Sequence, residues 1–394
     1  MNLESNFKKY YYYKFFKTLS FWLPIFVIYY LANGLDYSHI MILMVVEAAF
    51  QIIFEIPSGV FADFFGRKYA LSLAAGLHAV SIFIFFLGNS FWPFLLASAI
   101  FGMSLAFSSG SNSAFVYDTL KDLKREKEYK KIEGKGIGFG LLGMGVGSFF
   151  GGFIAEVSLK IPIIMTMVAS IIAVWISLYF IEPKLHKKSE DTTYFKHMKV
   201  AAVFSFKHPS VRWLIIFSGF MMVVMMISHR FFQPYMQLAG IDIKFFGVIY
   251  LVWLLICTFG SFYAHKIESK LGEFWSLMII PLFLGIHLII NGSFVFFLGI
   301  TVIFMGEFTY GFLRPIICDY INKHVESYHR ATVLSFQGFF RSIVLIILAP
   351  VFGYLADALT LTNAMIIEGI VALAVGIPVV FMIVKSNKKI AATA

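Results

Sequence analysis

Glu47, Gln51 and Glu55 recur at i, i+4 and i+8, so on a helix they form one polar stripe, and Gln337 and Arg341 form a second at i, i+4. Glu307, Tyr310 and Arg314, at i, i+3 and i+7, make a third. Carboxyl, guanidinium and phenol groups placed in this way can exchange protons and ion-pair partners. The groups needed for covalent chemistry are missing around them: there is no Ser/His/Asp set, no Cys or His metal spacing, and no glycine-rich loop followed by Lys-Ser/Thr. The sequence therefore points away from an enzyme, a metal centre, an ATP-driven pump and a bound cofactor.

These groups are rare in the chain. Of its 394 residues 59% are hydrophobic and 14% charged, against roughly 25% charged in soluble domains, too few to cover a water-exposed surface. The 47 Phe fall in apolar runs divided by short polar loops, the pattern of a helical protein that crosses a bilayer many times. Runs near 19–35, 40–62, 69–88, 91–118, 136–157 and 161–181 are followed, after a polar stretch, by 212–235, 245–264, 275–291, 294–320, 331–356 and 362–384. Twelve spans result, in an all-α fold with an N-terminal bundle over 1–181, a linker over 182–210 and a C-terminal bundle over 211–394. The first run lacks a small-residue cleavage site and is read as a retained helix.

The net charge of +10 follows from orientation. Of the 32 Lys and Arg, all but Lys160, Lys244, Arg230, Arg314 and Arg341 fall on one side of this arrangement, which puts both termini in the cytoplasm. No nucleic-acid partner is needed to explain the excess. Cys257 and Cys318 both lie in apolar runs and read as small buried hydrophobes. Asn291-Gly292-Ser293 matches a glycosylation tripeptide in a loop too short to favour modification.

The two sets of six spans repeat. Gly59 and Gly260, Asp118 and Asp319, Gly152 and Gly353, and Glu156 and Asp357 all stand 201 residues apart. A parallel repeat implies two bundles related by an axis along the membrane normal. Between the second and third spans the chain reads Gly59-Val-Phe-Ala-Asp63-Phe-Phe-Gly66-Arg67-Lys68. This stretch resembles the loop signature G-x-x-x-D-x-x-G-R-K of the major facilitator superfamily, and the twelve spans, the repeat and the central linker extend the resemblance over the whole chain. Its two glycines suit a tight turn and a close helix approach, and Asp63 and Arg67 place opposite charges at the membrane edge. The resemblance implies a charge relay of Asp63, Arg67 and Asp118, the last at the end of the fourth span. The corresponding second-half stretch, Gly260 to Gly272, is degenerate, with His265 and Lys266 where an acid is expected.

Gly134, Gly143, Gly147, Gly151 and Gly152 fit the family's efflux-associated fifth-span pattern, with Ser148 in place of its proline. Gly143, Gly147 and Gly151 also lie on one helix face, where they would admit a close neighbour, so packing is an equal reading. The mid-span Arg of proton-coupled efflux members is missing from the fourth span, whose polar side chains are Ser104, Ser108, Ser109, Ser111, Asn112 and Ser113. These small groups suit substrate contact and tight packing alike.

The resemblance further implies that the first, fourth, seventh and tenth spans line a cavity. They offer Trp22, Phe26, Tyr29 and Asn33; Asn112; Met222, Met225, Met226, His229, Arg230 and Gln233; and Glu307, Tyr310 and Arg314. The methionines make an adaptable wall or core filler. A charge at mid-depth costs at least about 2.5 to 3.5 kcal/mol, so Glu47, Glu55, Glu307, Arg314 and Arg341 each need a partner or water. Glu307 is the candidate for reversible protonation, and Glu55 and Arg341, at similar depth, are expected to meet. His78, His287 and His229 read as structural.

A secondary transporter of a bacterial inner membrane follows, monomeric, working by alternating access and exporting small amphipathic compounds in exchange for protons. A nutrient symporter or uniporter is the alternative within transport. A non-transporting receptor or assembly partner is the alternative outside it.

Overall fold

The computed structural model describes residues 3–184, 202–325 and 330–393, and all regular structure among them is helical. In chain order the helices are α1 (Ser5–Thr18), α2 (Phe26–Ala32), α3 (Tyr37–Phe65), α4 (Arg67–Leu87), α5 (Phe91–Asp122), α6 (Tyr129–Val157) and α7 (Ile161–Leu178). After them come α8 (Pro209–Leu238), α9 (Phe246–Ser293), α10 (Gly299–His324), α11 (Arg330–Ala358) and α12 (Leu361–Thr393). Of the expected linker at 182–210, residues 185–201 lie outside the described residues.

Ten helices among the described residues are long and apolar enough to cross a membrane. Two features reconcile this number with twelve spans. The apolar stretch Ile243–Ser293 is 51 residues long and is broken at Gly272, whose φ of 72° no helix tolerates, so it carries two spans. The first span is itself split into helices of 14 and 7 residues.

That split corrects the reading of 19–35 as one continuous span. Pro24 has no N–H and its ring disfavours a helical Leu23, so the helix fails between Leu19 and Ile25. The backbone freed there is partly answered by a side chain, since the Phe21 N–H donates to Thr166 Oγ1 on α7 at 2.9 Å. A second correction follows: Lys14 and Lys17, placed by the apolar runs ahead of the first span, lie within α1.

The chain forms two compact units. One contains the described residues up to Lys184 together with Asp242–Leu251, and the other the remaining described residues. In the first, α5 packs on α3 and α4, α4 also on α7, and α1 on α6 and α7. In the second, α8 packs on α10, α11 and α12. In each unit a single glycine with positive φ turns the second span into the third: Gly66 at 111° and Gly272 at 72°. The second-half stretch thus lacks the Asp and Arg-Lys pattern of the first and keeps its turn.

The glycine stripe of α6 has a definite neighbour. A Cβ on Gly143 would strike the Phe15 carbonyl, one on Gly151 the Phe21 carbonyl, and one on Gly147 would lie 2.7 Å from the Ser20 nitrogen. The stripe therefore seats the end of α1 and the break that follows it. Gly152 points elsewhere, to within 2.7 Å of the Gly247 nitrogen and the Lys244 carbonyl.

Candidate functional site

Three groups of polar side chains stand out, two in the first unit and one in the second. The first surrounds the α3–α4 turn. Arg67 Nη2 lies 2.7 Å from Asp63 Oδ1, across the Gly66 turn on α3, and Arg67 Nε lies 3.5 Å from Asp118 Oδ2 at the end of α5. The three members of the implied relay therefore stand together. Gly66 is the turn residue. Gly59 makes no close approach, because nothing among the described residues lies within 4 Å of where its Cβ would be, which corrects the expectation of tight packing there.

Glu182 joins this group, and sequence reasoning misses it. Its two carboxyl oxygens accept the backbone N–H groups of Arg67 and Lys68, each at 2.7 Å, capping the N-terminus of α4. A Cβ on Gly66, already disfavoured by its φ of 111°, would lie 2.6 Å from the Glu182 carboxyl carbon and displace this cap. Burial pushes the Glu182 carboxyl above the usual glutamate range, and the two N–H donors pull it back only in part. Flanking ties hold the segment in place. Ile181 and Asn6 exchange two hydrogen bonds, and the Lys184 N–H donates to Asp122 Oδ2. The only sequence signal is an acid directly after the sixth apolar run. Glu182→Ala is expected to remove about 0.5 to 2 kcal/mol of stability, as loss of a helix cap does, and Glu182→Gln, which keeps one acceptor, less. Thermal unfolding of the two purified variants measures the difference.

The second group lies near the middle of the first unit. Lys17, in the last turn of α1, donates through Nζ to Ser104 Oγ at 3.0 Å and to the Ala74 carbonyl at 3.2 Å. An amine from the first helix thus reaches the fourth span, where the mid-span Arg of proton-coupled efflux members is missing. His78 bonds Ser170 at 2.8 Å, in keeping with a structural role. Tyr29, at 1% exposure, packs in the core and donates to the Phe85 carbonyl. Asn33 donates to the Tyr29 carbonyl and Asn112 to the Ser108 carbonyl and hydroxyl, each within its own helix. Asn33 and Asn112 thus spend these donors locally, and Tyr29 spends its hydroxyl on α4. On α3, Glu47 is half-buried and Glu55 exposed.

The third group lies in the second unit. His229 Nε2 on α8 stands 2.9 Å from Glu307 Oε1 on α10, and Glu307 is only 2% exposed. The Trp253 ring meets His229 edge-on at 4.6 Å between centroids, and the Tyr310 ring lies 5.3 Å away. His229 thus has a specific acidic partner that the sequence did not disclose. Gln233 and Met225 are buried, whereas Met222, Met226 and Arg230 are half-buried. Arg341 is half-buried on α11, its Cα 3.7 Å from where a Gly219 Cβ would be, and Gln337 donates to Ser218 Oγ at 2.7 Å. Arg314 is exposed.

Two further buried groups belong to this unit. His287, whose ring nitrogens have no hydrogen-bond partner among the described residues, and Glu368 are each at 0% exposure. Sequence reasoning passes over Glu368, although it stands inside the apolar run at 362–384 and the rule that singles out Glu307 applies to it equally.

A model of the Major Facilitator Superfamily matches residues 14–346 of the chain. The uncharacterized MFS-type transporter YxaM of Bacillus subtilis is 23% identical over 370 residues, covering 88% of each chain. The quinolone resistance protein NorA of Staphylococcus aureus strain MSSA476 is 23% identical over 314 residues, covering 76% of each. The crystal structure of the nucleoside transporter NupG superimposes with a TM-score of 0.80 at 14% identity, over 97% of this chain and 99% of that one.

Proposed function

The chain belongs to the Major Facilitator Superfamily, and on that premise we propose that this membrane transporter exports small amphipathic compounds in exchange for protons. The observation that carries the reading is the contact between His229 and Glu307. It places a carboxyl group, nearly closed off from solvent, against an imidazole that can accept or return its proton. Half-buried Met222 and Met226 on α8 add an adaptable apolar surface. The likeness to a quinolone resistance protein supports export. The protein works as a monomer in the bacterial inner membrane with both termini in the cytoplasm, as its basic residues favour.

Nutrient uptake is the second reading. Ser148 stands where the efflux pattern has proline, the fourth span lacks its Arg, and a nucleoside transporter shares the fold. Uptake of a dye and drug panel into inverted vesicles, with and without an imposed proton gradient, separates the two. Accumulation that requires the gradient is expected. Transport of nucleosides or sugars in its place would favour uptake, and no transport of any compound would count against both.

A further inference from the structure

Charge within the second unit is unevenly answered. Of the two acids on α10, Glu307 is taken by His229 and Asp319 by Lys323 Nζ at 2.7 Å. Arg314 on the same helix and Arg341 on α11 have no carboxylate within ion-pair distance among the described residues. The two arginines stand at one depth. Arg314 lies ten residues before the end of α10 at His324, and Arg341 eleven after the start of α11 at Arg330. At about 1.5 Å per residue each is roughly 15 Å from the connection that joins the two helices. The two helices touch, and Tyr310 stands one turn before Arg314 on α10.

Two unanswered guanidinium groups at mid-span are costly anywhere but against water. An Arg at mid-depth facing lipid costs at least about 2.5 to 3.5 kcal/mol, so the exposed side of Arg314 marks a wetted wall of this unit. The fork of a guanidinium matches a carboxylate or a phosphate with two parallel hydrogen bonds, and two forks at one depth can bind such a group from two sides. An anion seated between them would add a direct partner to the water that screens them.

We propose that Arg314 and Arg341, with the Tyr310 hydroxyl, form an anion-binding site, and that the transported compound carries a carboxylate or phosphate head group. This rests on the transporter reading above and names the substrate class it leaves open.

Thermal unfolding of the purified protein in detergent tests the site without any transport. The probes are benzoate and phenyl phosphate, with benzyl alcohol as neutral control and tetraphenylphosphonium as cationic control, all at constant ionic strength. A saturable rise in melting temperature is expected with one or both anions and with neither control, and the responding anion identifies the head group. Arg314→Gln and Arg341→Gln should each weaken that binding about 10- to 100-fold, the range for a lost hydrogen bond to a charged group. Arg314→Lys, which keeps the charge and loses the fork, should fall between and guards against a folding defect. Stabilisation by the cation but not the anions, no response to any probe, or equal anion binding in both Gln variants would overturn the proposal. Anion binding without transport in vesicles would instead leave the site standing and remove the exporter.

Discussion

In inverted vesicles the Glu307→Gln variant is expected to equilibrate substrate across the membrane and to lose accumulation driven by a pH gradient. Glutamine keeps the shape of the side chain and one acceptor for His229, but it cannot take up or release a proton. With one proton exchanged per substrate, a gradient of one pH unit supplies about 1.4 kcal/mol, which is tenfold accumulation. The variant should remain near onefold at every imposed gradient. His229→Leu should behave differently. It strips the partner from a carboxyl group only 2% exposed, and breaking a buried pair in this way costs about 3 to 5 kcal/mol, so lowered thermal stability should precede any transport defect. Unaltered coupling in Glu307→Gln would remove the residue from the mechanism.

Gly151→Val is expected to leave little folded protein. Its Cβ alone would strike the Phe21 carbonyl, and that backbone belongs to the break in the first span, which the Thr166 hydroxyl already holds. Neither side can retreat as a flexible side chain would. Overpacking costs about 1 to 3 kcal/mol where side chains can adjust, and a clash against fixed backbone exceeds that range. The control lies on the same helix. Nothing stands within 4 Å of a Cβ on Gly138, so Gly138→Ala should be tolerated and even gain about 0.5 to 1 kcal/mol of helix stability. Expression level and the midpoint of thermal unfolding distinguish the two. A stable, normally expressed Gly151→Val would show that the stripe does not seat the first span.

Much of the architecture is legible because the bilayer simplifies it. Apolar runs long enough to span, with basic residues gathered at alternate connections, admit few arrangements, and the Gly59 to Lys68 stretch identifies the turn after the second span. Asp63 and Arg67 could be named together because the motif carries their spacing, and Asp118 because the family resemblance implies an acid at the end of the fourth span. Glu182 could not, because it reaches the α4 N-terminus from the far end of the unit and nothing near it in sequence signals a cap. Lys17 was misplaced for a different physical reason: a hydropathy reading starts the first span where the apolar run begins, whereas the helix begins earlier and fails at Pro24.

The glycine stripe shows the same limit. Its spacing puts Gly143, Gly147 and Gly151 on one face and leaves open what that face meets. The structure answers with backbone atoms of Phe15, Ser20 and Phe21, since only the packed helices bring residues more than a hundred positions apart into contact.

By itself the sequence determined the class of the molecule: a twelve-span, all-helical membrane protein with a two-fold internal repeat, a charged turn of known type and a short list of charges within its spans. Those properties follow from period, composition and local spacing, which need no knowledge of neighbours. Which of the charges are answered was decided only by the tertiary structure. Among the described residues His229 meets Glu307 across two helices, Lys17 donates to neutral oxygens, and Arg314 and Arg341 have no acid within ion-pair distance, because pairing depends on how helices rotate and pack against one another, and one-dimensional spacing does not encode that rotation.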